Sequence, residues 1–215
     1  MKRLLAAAVL LSVSGFASAQ SCGQLVETDV RLERDLYCPG GTALLVARSG
    51  ITIDLNGHAI SGDTASTGIS ATALRDVRII GPGRIVNVGT AIEATRVRGL
   101  DVTDILFQDV GDGVRLHNSS YADIARNHFD RIAGHAVAVL SLPYALTRGN
   151  GHVIHDNDVT NSEYGVLLSG FDAGDSVVTN NRFEQIGTFG IIDASDYNRV
   201  EDNEFGYTGV ADVVR

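Results

Sequence analysis

Tryptophan is absent from the 215 residues; methionine and lysine occur once each, cysteine twice and proline three times. Each scarcity excludes something. With Lys2 the only lysine, no amine is left in the body of the chain for a lysine base or a Schiff base. Two cysteines, Cys22 and Cys38, with no Cys or His close by in sequence, do not make a zinc site. Apolar runs are short after residue 19, so no later segment reads as a membrane span. Cations are also outnumbered, and the formal charge is −9. That balance disfavours nucleic acid, whose phosphates need a basic surface.

What is present begins with a leader. Met1-Lys2-Arg3 precedes an apolar run over 4–13 and then Ala17-Ser18-Ala19. A basic start, a short greasy middle and a small-residue site predict an export signal over 1–19, and hence a periplasmic or secreted protein starting at Gln20. A lipid anchor on Cys22 fits less well, because Ala19-Gln20-Ser21 is a poor lipobox. In an exported chain Cys22 and Cys38 read as a disulfide pinning residues 20–42; the alternative is a pair of reduced, buried thiols. Beyond the leader 26 acidic residues face 15 basic ones, all arginine, or −11. A polyanionic polysaccharide would then need a bridging cation such as Ca²⁺.

From residue 113 onward one phrase recurs. It reads Ile124-Ala125-Arg126-Asn127-His128-Phe129, then Ile154-His155-Asp156-Asn157-Asp158-Val159, then Val178-Thr179-Asn180-Asn181-Arg182-Phe183, then Val200-Glu201-Asp202-Asn203-Glu204-Phe205. A small residue followed by alternating aliphatics opens each unit, at 68, 91, 113, 136, 165 and 190, in steps of 22 to 29. Such a period, with strand-like alternation and no helical one, predicts a solenoid of parallel strands. Stacking in register puts Ile124, Ile154, Val178 and Val200 in one column, and Phe129, Val159, Phe183 and Phe205 in another. Asn127, Asn157, Asn181 and Asn203 form an amide ladder, with Asp104 expected in the same place one coil earlier. A leucine-rich repeat would need an aliphatic residue five before each Asn, where the chain has Ala122, His152, Ser176 and Asn198. Residues 20–42 lack the phrase and are expected to cap a β-helix of about seven coils over 43–215.

The run Ile51-Thr52-Ile53-Asp54-Leu55-Asn56-Gly57-His58 and the repeated Asn-x-Phe turns resemble the right-handed parallel β-helix repeat proteins of the pectate-lyase-like superfamily. The resemblance implies an all-β fold, and enzymes of the superfamily generally work on the outward face of the strand that opens each coil. On that strand Ser70, Glu93, Arg115, Ala138, Leu167 and Ile192 should form one outward column. A second would run Thr72, Thr95, His117, Leu140, Ser169 and Ala194; the corner column would run Thr67, Thr90, Asp112, His135, Tyr164 and Phe189. Glu93, Asp112, Arg115, His117 and His135 thereby gather on coils three to five, the candidate catalytic residues.

Gly111-Asp112-Gly113 and Gly134-His135-Ala136 faintly resemble the acidic and Gly-His-Gly motifs of polygalacturonase-like hydrolases. That implies an acid role for Asp112 beside His135, although the Asn-Thr-Asp and Arg-x-Lys motifs are missing. A lyase would instead take Arg115 or His117 as base, with Asp112 and Glu93 holding Ca²⁺. Against both stands a plain structural reading: a Glu93–Arg115 cross-strand ion pair and an Asp112–His135 corner hydrogen bond. His152 and His155 read as surface residues, and Asp172, Asp175 and Asp193 as turn formers. Leu140, Leu167 and Ile192 form an apolar strip beside the patch, which the excursion around Pro143 and Tyr144 or a second copy of the chain would cover. The expected function is contact with an extracytoplasmic polysaccharide, with lyase or hydrolase cleavage as its stronger form. The alternative is a non-catalytic structural or adhesive module that self-associates.

Overall fold

The computed structural model describes residues 17–19, 21–141, 150–170 and 173–215; Asp172, Pro143 and Tyr144 lie outside them. All regular structure among the described residues is β, wound as a right-handed parallel β-helix of about eight turns. The turns stack their strands on three faces, two of the turns spanning the second and third faces with a single strand. The first face stacks nine strands, from Gln24–Val26 and Thr42–Val46 through Thr67–Thr72, Thr90–Thr95, Asp112–His117, His135–Leu140, Tyr164–Ser169 and Phe189–Ala194 to Ala211–Val214. The second face runs from Ala17–Ala19 and Val30–Leu32 to Arg199–Glu201, and the third from Leu36–Tyr37 to Glu204–Phe205.

The expected columns are present. Ile124, Ile154, Val178 and Val200 are register partners coil on coil, as are Phe129, Val159, Phe183 and Phe205. Phenylalanine rings stack where neighbouring coils both carry one, at 4.7 Å for Phe107 and Phe129 and 5.1 Å for Phe183 and Phe205. The same rings, with the carbonyl oxygen of the next coil, explain the glycine that opens three of the coils. A Cβ at Gly113, Gly165 or Gly190 would come within 2.7, 2.5 and 2.5 Å of the rings of Phe129, Phe183 and Phe205.

The asparagines close the corner between the second and third faces. The residue before each adopts the left-handed conformation: Arg126, Asp156, Asn180 and Asp202 have φ of 56, 54, 54 and 53°. Asn127 donates its backbone N–H (2.9 Å) and Nδ2 (3.1 Å) to Asn157 Oδ1, and Asn157 (3.0 and 2.9 Å) repeats this on Asn181. Asn181 does the same on Asn203, at 3.0 Å for both bonds. Each Nδ2 also reaches a carbonyl of the preceding coil, that of Val102, Ile124, Ile154 or Val178. Buried amides are thus satisfied both along and between coils.

Asp104 is not in this ladder. Thr103 pairs with Ala125 and Leu106 with His128, so Asp104 lies over Arg126 and buried Ile105 takes the asparagine's place. Counting back two residues from Phe107, as from Phe129, lands on Ile105; Asp104 instead forms an ion pair with Arg126 at 3.0 Å. In this earlier part the chain passes the corner within single strands, Arg75–Val86 and Arg98–Gln108, with a register shift between Thr103 and Ile105. Gly81-Pro82-Gly83 lies inside the first of these. Gly81 is needed there because a Cβ would fall 1.7 Å from the Asp104 carbonyl oxygen.

Residues 21–42, the described part of the expected cap, cover the first repeat coil with strands of their own. Their strands pair in parallel with the next coil on all three faces, and Val26, Val30, Leu32 and Leu36 are buried. The Cys22–Cys38 disulfide closes this segment, with Cα atoms 5.4 Å apart.

His152 is fully buried rather than on the surface. It belongs to a second polar column, in which its Nδ1 accepts the Ala122 N–H (3.2 Å), Ser176 Oγ accepts the His152 N–H (3.2 Å) and Asn198 Oδ1 accepts the Ser176 N–H (2.9 Å). Burial pushes its imidazole down to about 4, opposed only weakly by the Ser119 backbone.

Candidate functional site

Alternation along the first face directs one parity inward: Ile69, Ala71, Ile92, Ala94, Val114, Leu116, Val137, Val139, Val166 and Leu168 are all buried. The other parity makes the outward columns. Ser70, Glu93, Arg115, Ala138, Leu167 and Ile192 are successive register partners, and so are Thr72, Thr95, His117, Leu140, Ser169 and Ala194. Because adjacent strands stand about 4.8 Å apart, this register brings Glu93, Asp112, Arg115, His117 and His135 onto one patch.

The partners within the patch differ from the simplest expectation. Arg115 is the cross-strand neighbour of Glu93, but its guanidinium pairs with Asp112, three residues earlier on its own strand. Asp112 opens the strand directly after the bend at Gly111, at the corner beside the outward face that carries Arg115. Its Oδ1 also accepts the His135 backbone N–H at 2.9 Å and lies 3.5 Å from the His135 ring nitrogen Nδ1. Burial raises the Asp112 pKa, but the His135 hydrogen bonds and the Arg115 charge outweigh it and hold the carboxyl at about 2. A carboxyl so placed carries no proton at neutral pH, which suits it to orienting its partners rather than to proton donation.

His117 stands on the opposite side of Arg115, with Nε2 4.0 Å from Glu93 Oε1. Burial, aided by the Arg115 charge and opposed by Glu93 and Asp112, lowers its pKa below the ordinary histidine value. Its imidazole is therefore neutral at neutral pH and able to accept a proton. Beside it, His135 stacks on Tyr164 at 4.8 Å, and Tyr164 on Phe189 at 6.4 Å, forming a file of rings along the corner. Leu140, Leu167 and Ile192 continue the outward face as a half-buried apolar strip, while Ala138 between them is buried.

Other candidates fall elsewhere. His155 bridges Asp123 (3.0 Å) and Asp156 (2.6 Å) on the second face, away from the patch. Asp175 is a turn former with φ of 57°. Asp193 is not: it lies on a first-face strand as the register partner of inward Leu168, nearly buried, and accepts a hydrogen bond from Asn198 at 2.7 Å.

A three-faced parallel coil with a polar patch on the strand that opens each turn defines the class of protein: an all-β repeat protein with an outward-facing candidate site. The chain belongs to the NosD family, whose model, described as periplasmic copper-binding protein (NosD), matches residues 49–214. Comparison with curated proteins gave no match. Among solved structures the chain is similar to the catalytic domain of a GH87 alpha-1,3-glucanase in complex with nigerose, at 12% identity and a TM-score of 0.52. That likeness covers 93% of this chain and 50% of the other, so the chain spans half the length of the structure it matches. A second GH87 alpha-1,3-glucanase catalytic domain, in complex with tetrasaccharides, matches at 9% identity over 98% of this chain and 68% of the other, with a TM-score of 0.24. The first likeness establishes the fold; the second adds nothing to it.

Copper, named in the family's description, favours thiolate, thioether and imidazole ligands. Here both cysteines are tied in the disulfide, the only methionine is Met1, and among the described residues no three of His, Cys, Asp and Glu come together to hold an ion. These residues do not fit a resident copper site. Of the two carboxylates expected to hold Ca²⁺, Asp112 and Glu93, Asp112 is engaged by Arg115.

Proposed function

We propose that the chain holds an extracytoplasmic polysaccharide along the outward side of its first face. The observation that carries this reading is the continuity of that surface: Glu93, Arg115 and His117 in register, then the ring file of His135, Tyr164 and Phe189. Arginine donors and flat rings side by side match the alternating hydroxyl edges and apolar faces of a sugar chain. Asp112 acts as the positioning residue, fixing Arg115 and His135. Where cleavage accompanies binding, His117 is the proton acceptor, because Arg115 stays cationic in its ion pair. The family's periplasmic description supports export, with removal of residues 1–19 after Ala19 as the corresponding processing step. The use of a related fold by a glucanase catalytic domain is in keeping with a sugar ligand.

The test is a panel of neutral and acidic polysaccharides, read by calorimetric binding and by the appearance of new reducing ends or unsaturated products. We expect binding that Arg115→Ala and Tyr164→Ala each weaken about tenfold, close to 1.4 kcal/mol. Product that His117→Gln abolishes, with binding retained, would establish cleavage. No binding by any polymer would sink this reading in favour of a second one. The Leu140, Leu167 and Ile192 strip favours that second reading, a non-catalytic module that self-associates; there, sedimentation would show an oligomer that Leu167→Asp weakens.

A further inference from the structure

Most arginines of this acidic chain stand against a carboxylate, as in Arg78–Asp101 (3.2 Å), Arg131–Asp109 (2.7 Å) and Arg199–Glu201 (2.9 Å). Arg75, Arg96 and Arg98 do not: among the described residues no carboxylate oxygen pairs with any of them, and all three are exposed. They line one groove of about 540 Å³ at the corner between the first and second faces, together with Leu74, Asn118 and Ser120.

Register produces the convergence. Arg75 and Arg98 are direct partners on adjacent strands, and Arg98 bridges to Ser120 on the coil beyond. Arg96 occupies the left-handed turn position (φ 56°) that Ala73 (φ 56°) and Asn118 (φ 49°) occupy in the flanking coils. Like charges directly opposite one another across adjacent strands are destabilising, and among the described residues neither arginine forms an ion pair with a carboxylate. Arg98 lays its guanidinium 4.3 Å over the Tyr121 ring. Stacking occupies the face of the guanidinium and leaves its in-plane N–H donors directed outward. The acid on the neighbouring strand, Asp101, is held by Arg78.

We propose that this groove is an oxyanion site, taking a carboxylate, sulfate or phosphate group between Arg75, Arg96 and Arg98. Three guanidinium forks around one concavity match the geometry of such groups, and charge-assisted bonds from them are roughly twice as strong as neutral ones. None of Glu93, Asp112, Arg115, His117 or His135 lines the groove, so the inference stands apart from the polysaccharide reading.

The experiment is an NMR titration of the arginine Nε–Hε signals of the full chain. One arm uses inorganic sulfate, a second inorganic phosphate, and a third a sodium polygalacturonate oligomer, all at constant ionic strength. Saturable shifts confined to Arg75, Arg96 and Arg98, with Arg131 and Arg199 unmoved, support the site. Arg75→Gln and Arg98→Gln should each weaken the apparent Kd about tenfold. Saturation by the inorganic ions assigns a free anion, and saturation by the oligomer alone assigns a polymer-borne carboxylate. The absence of saturable shifts in every arm, or shifts that survive both substitutions unchanged, would overturn the proposal.

Discussion

The later coils of the β-helix and the two coils before them turn the same corner by different means. Beyond residue 113 the second and third faces are short separate strands, such as Asp123–Ala125 and His128–Asp130, joined by a turn that a buried asparagine seals to its neighbours. In the two coils just before it, Arg75–Val86 and Arg98–Gln108 run through the corner unbroken, and Ile105 stands where the later coils place asparagine. One geometry, repeated at one strand spacing, is therefore reached with a polar ladder in the later coils and with unbroken strands in the two coils before them. Earlier still, Asn56 again donates its Nδ2 backward, to the Leu32 carbonyl at 2.9 Å. What the fold requires at that corner is that each backbone N–H be satisfied by the next coil. The Ile105 N–H meets the requirement by donating to Asn127 Oδ1 at 3.1 Å, where the two solutions join.

The largest effect expected to separate the two is on pH dependence, because the buried imidazole belongs to the later coils. His152 has a folded pKa of about 4 against an ordinary value of 6.5. Between these values the unfolded chain binds the extra proton, so stability is full above pH 6.5 and declines as pH falls towards 4. Denaturant melts across that window should lose roughly 3 kcal/mol, and His152→Gln should flatten that part of the profile. A wild-type profile equally flat between pH 7 and 4 would place the imidazole in contact with water.

A smaller effect sharpens the contrast at the corner itself. Asn157→Leu leaves the buried Asn127 N–H without its acceptor and should cost about 2 kcal/mol in chemical denaturation. Ile105→Leu, the same product residue in the coils before, should cost under ~1.5 kcal/mol. Equal losses would mean that the asparagine ladder does no more than fill space.

This division also decided how much the sequence disclosed. The Asn-x-Phe phrase is visible from Asn127 to Phe205 because one residue type must recur wherever amides bond coil on coil. Ile105 and Gly83 meet the same need without a recurring letter, so the earlier coils were found by spacing, and the register at Asp104 came out one residue wrong. Residues 21–42 have neither phrase nor period, so the parallel strands with which they cover the first repeat could not be read from the sequence. The outward columns of the candidate site followed from the period of two alone. Which carboxylate Arg115 would choose did not, because Asp112 stands at the corner where its strand begins, outside the simple alternation. Burial of His152 was equally hidden. Its column mixes Ala122, Ser176 and Asn198, and a lone histidine beside glycines gives no sign of being enclosed. Arg75, Arg96 and Arg98 stand two to twenty-three residues apart in sequence and meet only because coils stack.

The account rests on side chains of successive coils bonding directly to one another, and amide hydrogen exchange of the asparagine side chains tests this most directly. The Nδ2 hydrogens of Asn127, Asn157 and Asn181 should exchange as slowly as the core backbone amides around Ile124 and Val178. Exchange at the rate of a solvated amide would contradict the ladder, and with it the register that assembles the outward site.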